Sequence, residues 1–202
     1  MYRTFSCWLF ILLFTVEIAV SQGASTVETF VGQNASFNFT ISNITGQDEL
    51  LSIRHITNGD LIKIFHGVVS YTVSYENRVN YTGNTSEKRI SFVLRNVTLT
   101  DAGQYTAIVL YVSHSLGEQT LIVKASPSKP QIVELNGLAV ALSNYQLNCS
   151  AKSNSAPPNH NLSMSSEWRR DTISIASVGR YKAMGTKLTI TSLNYGEDNV
   201  PD

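Results

Sequence analysis

Asp101-Ala102-Gly103-Gln104-Tyr105-Thr106-Ala107 is the stretch whose reading decides the fold. It runs into a segment where Ala107, Val109 and Tyr111 alternate with Thr106, Ile108, Leu110 and Val112. A period of two puts one set on each face of a strand. Upstream, Ile90, Phe92 and Leu94 alternate in the same way, with Val97 after them; downstream, Leu121 and Val123 close the pattern. Phe37, Phe39 and Ile41 alternate with Ser36, Asn38 and Thr40, and Leu51 and Ile53 begin another strand. Asn58-Gly59-Asp60 is a turn signal leading into residues 61–65. No helical period competes with these. Short strands separated by turn signals predict an all-β, antiparallel sandwich.

The quoted stretch resembles the D-x-G-x-Y-x-C signature of immunoglobulin domains, with Tyr105 two residues before the position of the second cysteine. Arg78-Val79-Asn80-Tyr81 resembles the start of strand D in variable-type domains, and Leu94 and Val97 stand at the matching distance before Asp101. The resemblance implies a tyrosine corner at Tyr105 and an ion pair between Arg78 and Asp101. It also marks two departures. Where the family places cysteines on strands B and F, this chain has Phe39 and Ala107. A large residue facing a small one fills a disulfide's volume between sheets. The strand C tryptophan is absent as well, with Ile53 in its place. Residues 22–124 are therefore read as a variable-type domain held by packing alone. Forgoing a crosslink across a ~70-residue loop gives up roughly 4 kcal/mol in the chain-entropy picture.

Ala125-Ser126-Pro127-Ser128-Lys129-Pro130 forms a short, Pro-stiffened hinge, residues 125–130. Beyond it the pattern restarts. Tyr145, Leu147 and Cys149 alternate as a strand B that keeps its cysteine, Glu167-Trp168-Arg169-Arg170 resembles strand C with its buried Trp168, and Leu188, Ile190 and Leu193 resemble strand E. Residues 131–202 are read as an incomplete second immunoglobulin-like sandwich. The family pattern is left near residue 199, so strands F and G are expected to be missing, as in a splice product or fragment.

The first 21 residues read as a secretory address. Arg3 supplies a positive charge, residues 7–20 are apolar apart from Thr15 and Glu17, and Ala19-Val20-Ser21 suits signal peptidase. Removing this segment takes Cys7 with it and leaves Cys149 alone in an oxidising compartment. Cys149 is then expected either to be available for a disulfide-linked dimer or to be hidden by packing. No later stretch is long and apolar enough for a membrane span.

Lys and Arg number 15 and Asp and Glu 15, which argues against nucleic acid as a partner. Charged residues make up only 15% of the chain, so solubility must come from elsewhere. Sequons at Asn34, Asn38, Asn43, Asn80, Asn84, Asn96, Asn148 and Asn161 supply the means, since attached sugars solubilise a charge-poor surface. No catalytic motif occurs, and the four histidines (His55, His66, His114, His160) lack metal-ligand spacing. The chain is read as no enzyme, with no cofactor.

All six sequons before the hinge avoid residues 47–79 and 99–124, the stretches containing strands C, C′, F and G. These share one sheet in the immunoglobulin arrangement. On its outer face Thr106, Ile108 and Leu110 are expected to form an apolar strip, flanked by Arg54, Ile56 and Lys63, with His114 and Glu118 near the F–G turn. Alternatively, residues 67–75 fold over this strip and cover it.

A cysteine-less variable-type domain, a short hinge and a cysteine-bearing second domain resemble the lymphocyte adhesion receptors of the SLAM and CD2-like group. That resemblance implies a secreted or extracellular glycoprotein that binds a protein partner, either homophilically or as another immunoglobulin-superfamily receptor, through the sugar-free sheet. A soluble humoral factor recognising a microbial or carbohydrate ligand is the rival reading.

Overall fold

Apolar side chains at every second position leave each strand one face to bury, and two such faces meeting make a sandwich. The computed structural model describes residues 5–11, 25–40, 50–84, 89–110, 114–136, 141–170, 172–175 and 179–192, and these are nearly all β, with no α-helix. The cleavage site at residues 19–21, Asn43, Tyr111, Val112, the side chain of His114, Leu193 and the residues after it lie outside the described set. The chain divides into two units, one of Val16–Ala125 with Ser155–His160, the other of Met1–Thr15, Ser126–Asn154 and Asn161–Asp202.

In the first unit, strands β2 (Ser25–Phe30), β4 (Leu51–His55), β5 (Gly59–Phe65), β6 (Val68–Tyr71), β9 (Gly103–Val109) and β10 (His114–Lys124) form a six-stranded sheet. Its order is β2-β10-β9-β4-β5-β6, with β2 parallel to β10 and the other neighbours antiparallel. Strands β3 (Ala35–Thr40), β7 (Val79–Tyr81) and β8 (Arg89–Leu94) form a second sheet in the order β3-β8-β7.

The alternation of β3 is followed to the residue. Ala35, Phe37 and Phe39 are buried while Ser36, Asn38 and Thr40 are exposed. Ile90, Phe92, Leu94, Val97, Tyr105, Ala107, Val109, Leu121 and Val123 complete the same core, each fully buried Val, Leu, Ile or Phe side chain being worth roughly 1.5–3 kcal/mol. Phe39 (3% exposed) and Ala107 (fully buried) occupy core positions on opposite sheets, and Ile53 stands opposite Ala107 in register. Residues 155–160 join this unit because Val123 and Ala156 exchange backbone hydrogen bonds of 2.8 and 3.0 Å, and Ser155 Oγ accepts from the Ala125 N–H.

The second unit has strands β1 (Phe5–Ile11), β11 (Gln131–Glu134), β12 (Tyr145–Ser150), β13 (Met164–Arg170), β14 (Ile173–Ser174), β15 (Tyr181–Met184) and β16 (Lys187–Ile190). They form a sheet β11-β12-β16-β15 and a sheet β1-β13-β14. Tyr145, Leu147, Cys149, Trp168, Ile175, Leu188 and Ile190 pack together, and the Trp168 indole N–H donates to the Gly185 carbonyl at 3.2 Å.

Residues 5–11, assigned to a leader from the sequence, form β1 in this unit. Aromatic and aliphatic composition suits a β-strand as well as a leader, and composition alone does not separate the two.

Candidate functional site: the outer face of the six-stranded sheet

One corner fixes the strand that crosses the centre of this face. Leu99–Asp101 is a single 3-10 turn capped by Thr98, whose N–H and hydroxyl both donate to Asp101 Oδ2, at 2.7 and 2.8 Å. Arg78 grips the same carboxylate with two nitrogens, Nη1 at 3.2 Å from Oδ1 and Nη2 on Oδ2. Burial pushes the Asp101 pKa up, but these donors outweigh it and hold the carboxyl below its ordinary range. The buried Tyr105 hydroxyl donates to the Asp101 carbonyl at 2.7 Å, and burial holds the phenol in its protonated form.

Beside this corner His55 is 1% exposed. Its Nδ1 accepts from the N–H groups of Thr57 (3.3 Å) and Asn58 (3.1 Å), so the proton lies on Nε2, which faces the Ala102 carbonyl at 3.2 Å. This network needs a neutral ring. Burial lowers the His55 pKa, against the Ala102 hydrogen bond and the Asp101 charge, which raise it. A folded-state pKa below the unfolded value of about 6.5 gives stability that is present at pH 7. That stability is lost as pH falls from 6.5 toward the folded value. The first unit's unfolding midpoint is accordingly expected to drop between pH 7 and pH 5, and the drop should shrink in His55→Gln; denaturant titrations at the two pH values measure both.

Gly103 leads into β9 with φ +137°, and a Cβ there would come within 2.9 Å of His55 Nε2. Gly103→Ala is expected to cost roughly 1–3 kcal/mol, through backbone strain and this clash together. A variant as stable as the parent in urea would overturn that account.

Register places the outward residues in rows. Glu118 on β10 stands opposite Thr106 on β9, Thr106 opposite Arg54 on β4, and Arg54 opposite Asp60 on β5. In the next row Ser115 stands opposite Ile108, Ile108 opposite Ser52, and Ser52 opposite Lys63. Asp60 ties the rows together. It accepts from Arg54 Nε at 2.9 Å and from Ser52 Oγ at 3.1 Å, and pairs with Lys63 Nζ at 3.2 Å. Partial burial pushes the Asp60 carboxyl up, and these three donors bring it below its ordinary range. Gln104 donates to Glu118 at the far end.

The sequence-picked residues therefore differ in placement. Arg54, Lys63, Thr106, Ile108 and Glu118 lie together on this face, while Leu110 follows β9 and bonds back to the Leu50 carbonyl at 2.9 Å. Ile56 is 69% exposed in the turn at residues 56–58, with its N–H on Gln104, so it borders the face without belonging to a strand. The expected apolar strip is a mixed surface: Thr106, Ile108 and Leu110 are each half-buried, and Ile108 is bordered by Ser52, Ser115 and the Arg54–Asp60–Lys63 cluster. Residues 68–71 do not fold over it; β6 pairs edgewise with β5 and lengthens the sheet. Ser52, Asp60 and Gln104 escaped the sequence reading. Asp60 could have been found from its place at the end of a turn signal, three residues before Lys63.

The described sequons before the hinge all fall elsewhere. Asn34, Asn38, Asn80, Asn84 and Asn96 are exposed in or beside β3, β7 and β8, the strands of the smaller sheet. In the second unit Asn148 is half-buried on β12 and Asn161 is exposed. Cys149 is 1% exposed within its core and is not a free thiol, so a disulfide-linked dimer through it would require this core to open. Among the described residues no cluster of His, Cys, Asp or Glu is placed to hold a metal ion, and no helix is long and apolar enough to cross a membrane.

No family model matches the chain, and no curated protein matches it.

Proposed function

We propose that this chain is a glycosylated extracellular recognition or adhesion protein of the immunoglobulin-superfamily kind, which docks a protein partner on the outer face of its six-stranded sheet. The observation carrying this reading is the partition of sequons: five exposed ones border the three-stranded sheet, while the strands of the six-stranded sheet contain none. Sugars on one sheet leave the other as the surface two proteins can share. The strand orders, the Tyr105 corner and the Arg78–Asp101 pair support the immunoglobulin-like part of the reading.

The charge arrangement favours a second copy as partner. Glu118 stands at one end of the Thr106 row and the Arg54–Asp60–Lys63 cluster, with its excess positive charge, at the other. A two-fold axis lying along β9 would set Glu118 of one copy over Arg54 of the next, the self-complementary arrangement an isologous interface needs. Sedimentation velocity on the glycosylated chain, from micromolar to sub-millimolar, tests this. Concentration-dependent dimers that vanish in Ile108→Asp, with unfolding unchanged, are the expected result. Dimers indifferent to Ile108→Asp would remove this face from the reading, and a monomer throughout would remove self-recognition.

A further inference from the structure

We propose that β6 is a lateral self-pairing edge, whose main chain takes the same strand of a second copy, antiparallel about Ser70, so that two six-stranded sheets join side by side. This does not rest on the docking face, because the edge lies in the plane of the sheet and the face looks out of it.

The turn before β6 fixes which groups are on offer. His66 and Gly67, at φ 48° and 76°, close a two-residue hairpin between Phe65 and Val68. Such a hairpin points the main-chain groups of Val68, Ser70 and Thr72 at β5, and the Thr72 N–H donates to the Leu61 carbonyl at 3.0 Å. The N–H and C=O of Val69 and Tyr71 therefore point the other way, past the last described strand of the sheet. They sit evenly on either side of Ser70. A second β6, turned about a two-fold axis there, sets Val69 against Tyr71 of the partner copy and Tyr71 against its Val69. Each pair then exchanges both of its N–H to carbonyl hydrogen bonds.

The other described edges of the first unit are guarded. On β3, Gln119 Oε1 accepts from the Asn38 N–H and Gln119 Nε2 donates to the Asn38 carbonyl, both at 3.1 Å, so a side chain takes the place of a strand. Asn38 is also a sequon, as are Asn80 on β7 and Asn84 just beyond it, where sugars would crowd out a neighbour. β2 carries the charge of Glu28. Residues 65–75, by contrast, hold no Asp, Glu, Lys, Arg or Pro and no sequon, the features that ordinarily keep edges apart. Val68 is 70% exposed, and in the pair it would lie against Thr72 of the partner copy. Lys63, opposite Ser70 on β5, would stand three strand spacings from its counterpart, roughly 14 Å and beyond the screening length at physiological salt.

A contact this narrow falls below the roughly 1,200 Å² at which stable interfaces begin, so it adds strength only where copies are already held close. Covalent trapping measures it. The test uses the glycosylated chain carrying Ile108→Asp, which disables the face. Ser70→Cys is expected to form disulfide-linked dimers in a glutathione buffer, since opposed residues at the axis lie about 4.5 Å apart at Cα. Val68→Cys, about 14 Å from its counterpart, should form them at least about tenfold less, with peptide mapping restricting the count to links at these two positions. In the trapped Ser70→Cys dimer, amide exchange at Val69 and Tyr71 should be slower by about tenfold or more than in the reduced protein, while Val68 and Thr72 stay unchanged. Equal trapping at the two positions would overturn the proposal, and so would unchanged exchange at Val69 and Tyr71. With Ile108→Asp present throughout, neither result bears on the docking face.

Discussion

Arg78→Met is expected to destabilise the first unit by about 3–5 kcal/mol at pH 7, the cost of stranding a buried charge after its partner is removed. The Asp101 side chain is 2% exposed, against 30% for Arg78, so the carboxylate cannot turn to water for compensation. Thr98 still donates twice to it, which keeps the loss toward the lower end of that range. The pH dependence separates this mechanism from simple loss of packing. With Arg78 present, the folded-state pKa of Asp101 lies below its ordinary value. The pair's contribution is therefore complete above about pH 4 and disappears as pH falls through the folded value. In Arg78→Met the upward push of burial loses its main opponent, and Asp101 takes up a proton sooner. The deficit relative to the parent should be largest at neutral pH and narrow below about pH 4. Hydrogen exchange over residues 89–110 at both pH values reads it; equal deficits would sink the electrostatic account.

Phe37→Ala is expected to cost a comparable 3–5 kcal/mol, roughly, by opening a cavity between the two sheets. The ring is fully buried and stacks on its register partner Phe92, centroids 4.5 Å apart and planes 8° from parallel. On another side it meets Tyr105, also at 4.5 Å, so the cavity would undercut the tyrosine corner as well. Phe37→Leu keeps most of the volume and should lose only about 1–2 kcal/mol. Urea unfolding of the three proteins measures the series. A Phe37→Ala loss near that of Phe37→Leu would mean that the sheets close over the space.

Much of this architecture is legible in the chain because strand alternation is a local property. Phe37 and Phe39, Ile90 and Phe92, and Ala107 and Val109 point inward as their spacing predicts. The Asp101–Tyr105 spacing locates the corner because the hydrogen bond it serves is also local. Register is different, since it is set between segments distant in sequence. A bulge between Ile53 and Arg54 shifts the pairing of β4 with β5, and no pattern in either strand announces it. The bulge sets Asp60 opposite Arg54 and makes it the hub of the face, where it also accepts from Ser52, a buried polar residue at an outward position. Ile56 was counted with the strands because alternation does not reveal where a strand ends and a turn begins. Residues 5–11 are ambiguous for another reason, that a short apolar segment satisfies a leader's requirements and a strand's alike.

The placement of the indoles gives one unit an optical reporter of its own. Both tryptophans, Trp8 and Trp168, belong to the second unit, whereas tyrosines are shared, with Tyr71, Tyr75, Tyr81 and Tyr105 in the first and Tyr145 and Tyr181 in the second. Emission excited at long wavelength therefore follows only the unit built around Trp168, while tyrosine absorbance averages over both. A red shift that precedes the loss of amide protection over residues 89–110 during denaturation would be the spectroscopic mark of a second unit that melts first.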